Sequence, residues 1–161
     1  MEQLVLEFRA ALVSDLVLAA RLLEKHPNLI EHPVYGRSET ALHFYATENR
    51  ADVVRWLLSK GAKPNGIATG DSPLQAAAQL GHVDVCRALI QAGSDLNLQD
   101  DLGETPLHKA SRGGYLEVIT ALLEAGADPS IAEPLGELPI DQALPRKRDQ
   151  IRAVFDAHAN K

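Results

Sequence analysis

The side chains able to do chemistry in this 161-residue chain are six histidines, His26, His32, His43, His82, His108 and His158, one cysteine, Cys86, and a surplus of acids. Zinc would need three or four ligands brought to one point. The histidines are instead scattered along the chain, with no His-Glu-x-x-His pair and no second cysteine. No glycine-rich phosphate loop and no nucleophile elbow is present either. Acids are plentiful, but general acid–base work requires a cleft that holds a carboxyl group within reach of the transferred proton. The expectation is a chain with no catalytic residue, no metal and no cofactor. One basic run, Arg146-Lys147-Arg148, has the composition of a nuclear-import or phosphate-binding patch. Three basic residues in a loop followed by Asp149 are better read as a solvated turn.

With chemistry thin, the elements that carry these side chains become the stronger source of information. The stretch 103–128, GETPLHKASRGGYLEVITALLEAGAD, contains a complete unit. Thr105-Pro106 starts a helix, the hydroxyl capping a free N–H and the proline filling the first helical position. Gly113-Gly114 stops it, a second helix runs from about Leu116 to Glu124, and Gly126 supplies the exit. Helix starts recur at Thr40, Ser72, Thr105 and Leu138, which are 32, 33 and 33 residues apart. Helix exits at Gly61, Gly93 and Gly126 repeat at 32 and 33. Two separate features thus give one period, which marks a repeat array. In that register Cys86 falls with Val54 and Ile119 on the core face of a second helix, so it is expected to act as a small buried hydrophobe.

The period and the motifs TPLHKA (105–110), TALHFY (40–45) and SPLQAA (72–77) resemble the ankyrin-repeat family. The resemblance spans nearly the whole chain and implies an all-α repeat solenoid of stacked helix-turn-helix units with projecting loop fingers. It implies one domain over 1–161, divided into an N-terminal cap (2–32), three full repeats (36–65, 69–98 and 102–131) and a C-terminal cap repeat (135–159). It further implies that His43 and His108, in the fourth place of the motif, tie a helix start to a neighbouring loop. Gln75 and Asp141 hold that place elsewhere, which suits hydrogen bonding and not metal binding. Asn65 and Asn97 are expected to hold the turn after each unit, with Ser130 in the third.

Several places depart from the pattern. The first repeat breaks at Asn49-Arg50 in place of Gly-His and carries Phe44-Tyr45 where the next has Ala76-Ala77. Trp56 stands where other units have alanine, and compensatory packing beside the cap is the expected reason. The loop from Asn65 to Ser72 is seven steps, against eight from Asn97 to Thr105, so one finger is expected to be trimmed. The last unit opens with GELPIDQA as a repeat does, then diverges into a closing helix from about Asp149.

Composition sets further bounds. An apolar content of 45% with only 4% aromatic fits a core of Leu, Val and Ala in a single domain. A net charge of −6 disfavours nucleic acid or an anionic membrane as partner and favours a basic protein. No apolar run approaches the ~20 residues of a membrane span, and the opening MEQLVLEFRAALVSD carries acids where a secretory leader carries basic residues. The chain is therefore expected to be soluble, cytoplasmic and a monomer when free.

Carrying over the family's usual contact positions gives Arg37, Glu39, Thr47 and Glu48 in the first repeat, and Thr69, Asp71, Gln79 and Leu80 in the second. The third adds Asp101, Leu102, Glu104 and Arg112, and the last adds Leu135 and Glu137. Such a strip, acidic with three leucines, is expected to bind a protein surface with basic residues around apolar anchors. The function expected is a non-catalytic adaptor or inhibitor, with an obligate regulatory, immunity or chaperone-like subunit of one enzyme as the alternative.

Overall fold

The structure is a computed structural model, and it describes residues 2–33, 39–66 and 70–159. The chain forms α1 (Glu2–Ser14), α2 (Leu16–Lys25), α3 (Ala41–Thr47), α4 (Ala51–Ser59), α5 (Pro73–Leu80), α6 (Val83–Gln91), α7 (Pro106–Gly113), α8 (Leu116–Glu124) and α9 (Arg148–Ala159). Short 3-10 turns at Pro27–Glu31 and Pro145–Lys147 complete the regular structure, and the described residues contain no β-strand. Helices this short are unstable alone and persist because each buries its apolar stripe against neighbours. The first helices stack as α3 on α5 on α7, and the second as α4 on α6 on α8, with α9 closing against α8. One apolar seam runs from Phe8 and Leu12 through Leu42, Leu57, Leu74, Leu89, Leu107 and Leu122 to Ile151.

Local rules account for the helix starts. Asp15 accepts from the amides of Val17 and Leu18, both at 3.0 Å, and so opens α2. Ser72 and Gln75 form a reciprocal capping box: the Ser72 hydroxyl accepts from Gln75 N (3.2 Å), and Gln75 Oε1 accepts from Ser72 N (2.7 Å). The exits repeat to a tenth of an ångström. Ala62 N donates to Leu57 O at 3.1 Å, Ser94 N to Leu89 O at 3.1 Å, and Ala127 N to Leu122 O at 3.0 Å. Asn49 substitutes for glycine at the first repeat's break with φ of 56°, a left-handed conformation that asparagine tolerates.

Layers are joined at three recurring places. Asn65 Oδ1 accepts from Asp95 N, and Asn97 Oδ1 from Asp128 N, both at 2.8 Å. Glu31, which has no motif around it, does the same from the cap by accepting from Lys63 N at 2.6 Å. The break residues form a second set, each closing over the turn of the layer before. His82 Nε2 lies 3.0 Å from Thr47 O, the Tyr115 ring lies against Gly81, and Lys147 Nζ donates to Gly114 O at 2.8 Å. Lys147 is thus a layer tie, and Arg148 donates to Asp141 O and Ala143 O at 3.1 and 3.3 Å. The reading of 146–148 as a merely solvated turn holds for exposed Arg146 alone.

The third set is the fourth motif position. His108 Nδ1 accepts from Thr105 N (3.1 Å), which leaves Nε2–H to donate to Glu137 O (3.2 Å) one layer on. Gln75 Nε2 does the equivalent toward Leu98 O (3.0 Å) and Glu104 O (2.7 Å). The last unit differs from a repeat more than its GELPIDQA opening suggests. Residues 139–142 make only turns, with Asp141 N bonded to Leu138 O and Ala143 N to Ile140 O. Leu138 offers no capping hydroxyl, and Pro145 disfavours helix at Leu144, so too few residues remain to nucleate one.

Cys86 is fully buried, and desolvation pushes its thiol up to about 12. The native chain should therefore resist a neutral thiol reagent and react at the rate of unfolding. Prompt labelling without denaturant would place Cys86 outside the core.

Candidate protein-binding surface

Two finger turns ahead of the third and fourth helix starts share one construction. In 100–104, DDLGE, Asp100 Oδ1 accepts from the amides of Leu102 (2.9 Å) and Glu104 (2.8 Å). In 133–137, EPLGE, the Glu133 carboxylate accepts from Leu135 N (3.0 Å) and Glu137 N (2.9 Å). Each turn is closed by a matching backbone bond, Asp100 N to Glu104 O at 3.1 Å and Glu133 N to Glu137 O at 3.0 Å. An acid at the first position satisfies the donors inside the turn, which leaves the third residue, a leucine, at the tip. Leu102 is 65% exposed and Leu135 90%.

The fingers also touch each other. Gln99 Nε2 donates to Gly103 O (2.7 Å) and across to Ala132 O (3.3 Å). Gly103 adopts φ of 75°, and a Cβ there would lie 2.5 Å from Pro134 Cδ, so both conformation and space require glycine. Between the fingers lies an open depression of about 430 Å³ lined by Asp101, Leu102, Glu104, Glu133, Pro134, Leu135, Glu137 and Gln142.

Behind the first finger sits a charge cluster that the motif does not announce. Lys109, only 5% exposed on α7, places Nζ 2.6 Å from Asp100, 3.1 Å from Asp71 and 3.2 Å from Glu104. Burial opposes its charge, but hydrogen bonds to Asp100 and Asp71 outweigh that and raise its pKa above the ordinary lysine value. Arg112 pairs with the other oxygen of Glu104 and donates to Gln142 Oε1 at 2.8 Å. Asp71 precedes α5 while Lys109 lies on α7, so the cluster also fastens two layers.

The structure brings Asp101, Leu102, Glu104, Leu135 and Glu137 to one place and puts Arg112 at its edge. Glu104, however, is 4% exposed and its carboxylate is engaged by Lys109 and Arg112. It supports the finger from inside and is not a free contact residue. Asp71 is half-buried in the same cluster, while Gln79 and Leu80 stand exposed at the end of α5. Glu39 and Thr47 are half-buried; the Thr47 hydroxyl donates to Phe44 O at 2.7 Å. Glu48 borders a separate depression of about 500 Å³, lined by Leu6, Ala10 and Val13 of α1 with Phe44 and Tyr45. Tyr45 is 3% exposed and meets Phe44 edge-on at 5.2 Å, the arrangement of packed aromatics. Arg37, Thr69 and the trimmed finger lie outside the described residues.

Sequence reasoning missed Lys109, Asp100 and Glu133. The signal for Asp100 and Glu133 was present in the parallel strings DDLGE and EPLGE, 33 residues apart, whereas nothing in the sequence marked Lys109. His43 and His108 both have pKa values lowered by burial. Among the described residues no group of three or more His, Cys, Asp or Glu side chains could hold a metal ion, and no helix is long and apolar enough to cross a membrane.

The family pattern described as ankyrin repeats (3 copies) matches residues 8–100 and 42–133. Among curated proteins, the E3 ubiquitin-protein ligase XB3 of Oryza sativa subsp. japonica is 31% identical over 96 residues, covering 59% of this chain and 21% of that protein. The palmitoyltransferase Hip14 of Drosophila melanogaster is 35% identical over 66 residues, 40% of this chain and 10% of its own length. The histone-lysine N-methyltransferase EHMT1 of Mus musculus is 36% identical over 77 residues, 46% of this chain and 6% of its own. The matched segment thus spans about a fifth or less of each of these three proteins.

Proposed function

The chain belongs to the ankyrin-repeat family, and from that premise we propose that it is a non-catalytic protein-binding module, an adaptor or inhibitor, working through the face formed by its finger turns and the ends of its first helices. The observation that carries this reading is the pair of internally braced fingers that hold Leu102 and Leu135 out to solvent. Exposed large apolar side chains on rigid backbone lose little conformational freedom on binding, so their burial converts efficiently to affinity. Asp101 and Glu137 beside them favour a partner with basic residues around apolar ones. Leu80, 45% exposed at the end of α5, extends the same face by one layer. The relatives carry three different enzyme names although each matches over only 66–96 residues, which fits a module whose role is recognition and not one particular reaction. A single cysteine, free and buried, suits work in a reducing compartment such as the cytoplasm.

The test uses affinity capture with the full chain as bait. Leu80→Ala with Leu102→Ala is expected to reduce retention of the captured partner several-fold while lowering the thermal melt only slightly, since Leu102 is 65% and Leu80 45% exposed. Glu137→Lys should add to the loss. Glu104→Lys is unsuitable for this purpose, since it would set a third cation beside Lys109 and Arg112 and disturb the fold. Retention unaffected by the leucine changes would exclude this face.

A further inference from the structure

Resting on that reading, we infer that the two fingers form a clamp for one particular kind of occupant: an extended, basic segment of another protein carrying two apolar residues three positions apart. Three observations lead there. First, Leu102 and Leu135 stand at equivalent tips of turns braced by the same acid-to-amide bonds, so their separation is set by the stacking of layers and not by loop motion. Stacked helices lie about 8–10 Å apart. In a polyproline-type extended chain, residues three apart share a face and are separated by about 9 Å. The leucine spacing therefore suits an apolar-x-x-apolar segment laid across the fingers, whereas a helix would need its apolar pair seven positions apart, a rise of about 10.5 Å, and not three.

Second, the depression of about 430 Å³ between the fingers is open and lies at the small end of the range for ligand-sized clefts, roughly 300–1,000 Å³. That is room for side chains of a single strand. Third, the charge is one-sided. Asp101 and Glu137 are exposed on its lining, with Glu133 half-buried between them. The residues lining it include no cation: Lys109 is buried behind it, and Arg112, exposed at its edge, is paired with Glu104. A segment with Lys or Arg flanking its apolar pair meets carboxylates on both sides and is steered to the site before contact.

Fluorescence anisotropy on the full chain tests this with four dye-labelled short peptides. The probe has two leucines three apart among lysines and arginines. The controls replace both leucines with serine, replace every basic residue with glutamate, or place the leucines next to each other. The probe should bind at least tenfold more tightly than each control, as burial of one exposed leucine is worth roughly a factor of ten. Leu102→Ser with Leu135→Ser should abolish that preference while leaving the thermal melt unchanged. Asp101→Asn with Glu137→Gln should weaken binding several-fold and flatten its dependence on salt. Equal binding of the serine control, or a preference surviving the double serine variant, overturns the clamp. Should the probe fail while affinity capture still depends on Leu80 and Leu102, the occupant is a folded surface: the linear segment is refuted and the wider reading stands. Failure of both refutes both.

Discussion

Lys109→Met is expected to destabilise the fold by about 3–5 kcal/mol, the usual cost of removing one partner from a buried ion pair. The methionine fills most of the volume, so the loss is electrostatic. Asp100 and Glu104, nearly inaccessible, would face each other and Asp71 without the ammonium that now sits 2.6–3.2 Å from all three. For a chain of this length such a loss lowers Tm by on the order of 10 °C. The layer tie from Asp71 to α7 should also open, so amide exchange in 100–104 should rise more than in α6. Alkaline titration separates this role from packing. Burial depresses the lysine charge, but the bonds to Asp100 and Asp71 prevail and the folded pKa stands above the unfolded value of about 10.4. The stabilisation is therefore complete below that value and is lost as pH rises through the higher folded pKa. Urea midpoints of wild type and Lys109→Met should differ by a constant amount from pH 7 to 10 and converge above it. A gap that persists at the alkaline extreme would mean that packing, and not charge, is what Lys109 provides.

His108→Ala should cost about 3–4 kcal/mol, combining a cavity with unpaired polar groups at Thr105 N and Glu137 O. His108→Gln should cost only about 1 kcal/mol, because Gln75 already performs the same double duty one layer earlier through Oε1 and Nε2. Chemical denaturation of the two variants checks the contrast, and equal losses would show that shape alone matters at this position. Acid should reveal the same residue. Burial holds the His108 and His43 pKa values below the usual 6.5, despite the opposing pull of nearby carboxylates. The unfolded chain then binds more protons as pH falls past 6.5, so stability is full above that value and declines from about 6.5 down through the folded pKa values. Protonating His108 Nδ1 would also remove the acceptor for Thr105 N. His43→Gln with His108→Gln should flatten the decline between pH 6.5 and 5. A slope unchanged in the double variant would assign acid sensitivity to other groups.

Much of the fold was legible in the chain because its determinants are local. Helix starts at Ser72 and Thr105, exits after Leu57, Leu89 and Leu122, and the apolar stripe that includes Cys86 all depend on residues within five positions of one another. Repetition of such signals at 32 and 33 residues is what dictates stacking, since no unit can bury its stripe alone. The leucine tips were likewise readable as positions in the repeat.

Tertiary structure decided what the charged side chains do. Glu104 was expected at the contact surface, and Asp100 and Lys109 carried no assignment, until one layer was set on the next. Asp100 and Glu104 stand nine and five positions before Lys109 but meet it only once the finger folds back onto α7, and Asp71 comes from the neighbouring layer more than thirty positions away, so a surface-facing charge and a buried pair have the same local sequence. The same distance hid Glu31, bonded to Lys63, and Lys147, bonded to Gly114. Tertiary contacts brace residues 139–142 in the turns that Leu138 and Pro145 already favour locally, with Glu137 O and Asp141 O held by His108 and Arg148 from outside the segment. Residue order specifies the period, the seam and the layer count through short-range sterics and burial. Which carboxylates remain free to meet a partner depends on geometry that exists only after stacking, when low-dielectric contact between layers claims some and leaves Asp101 and Glu137 in water.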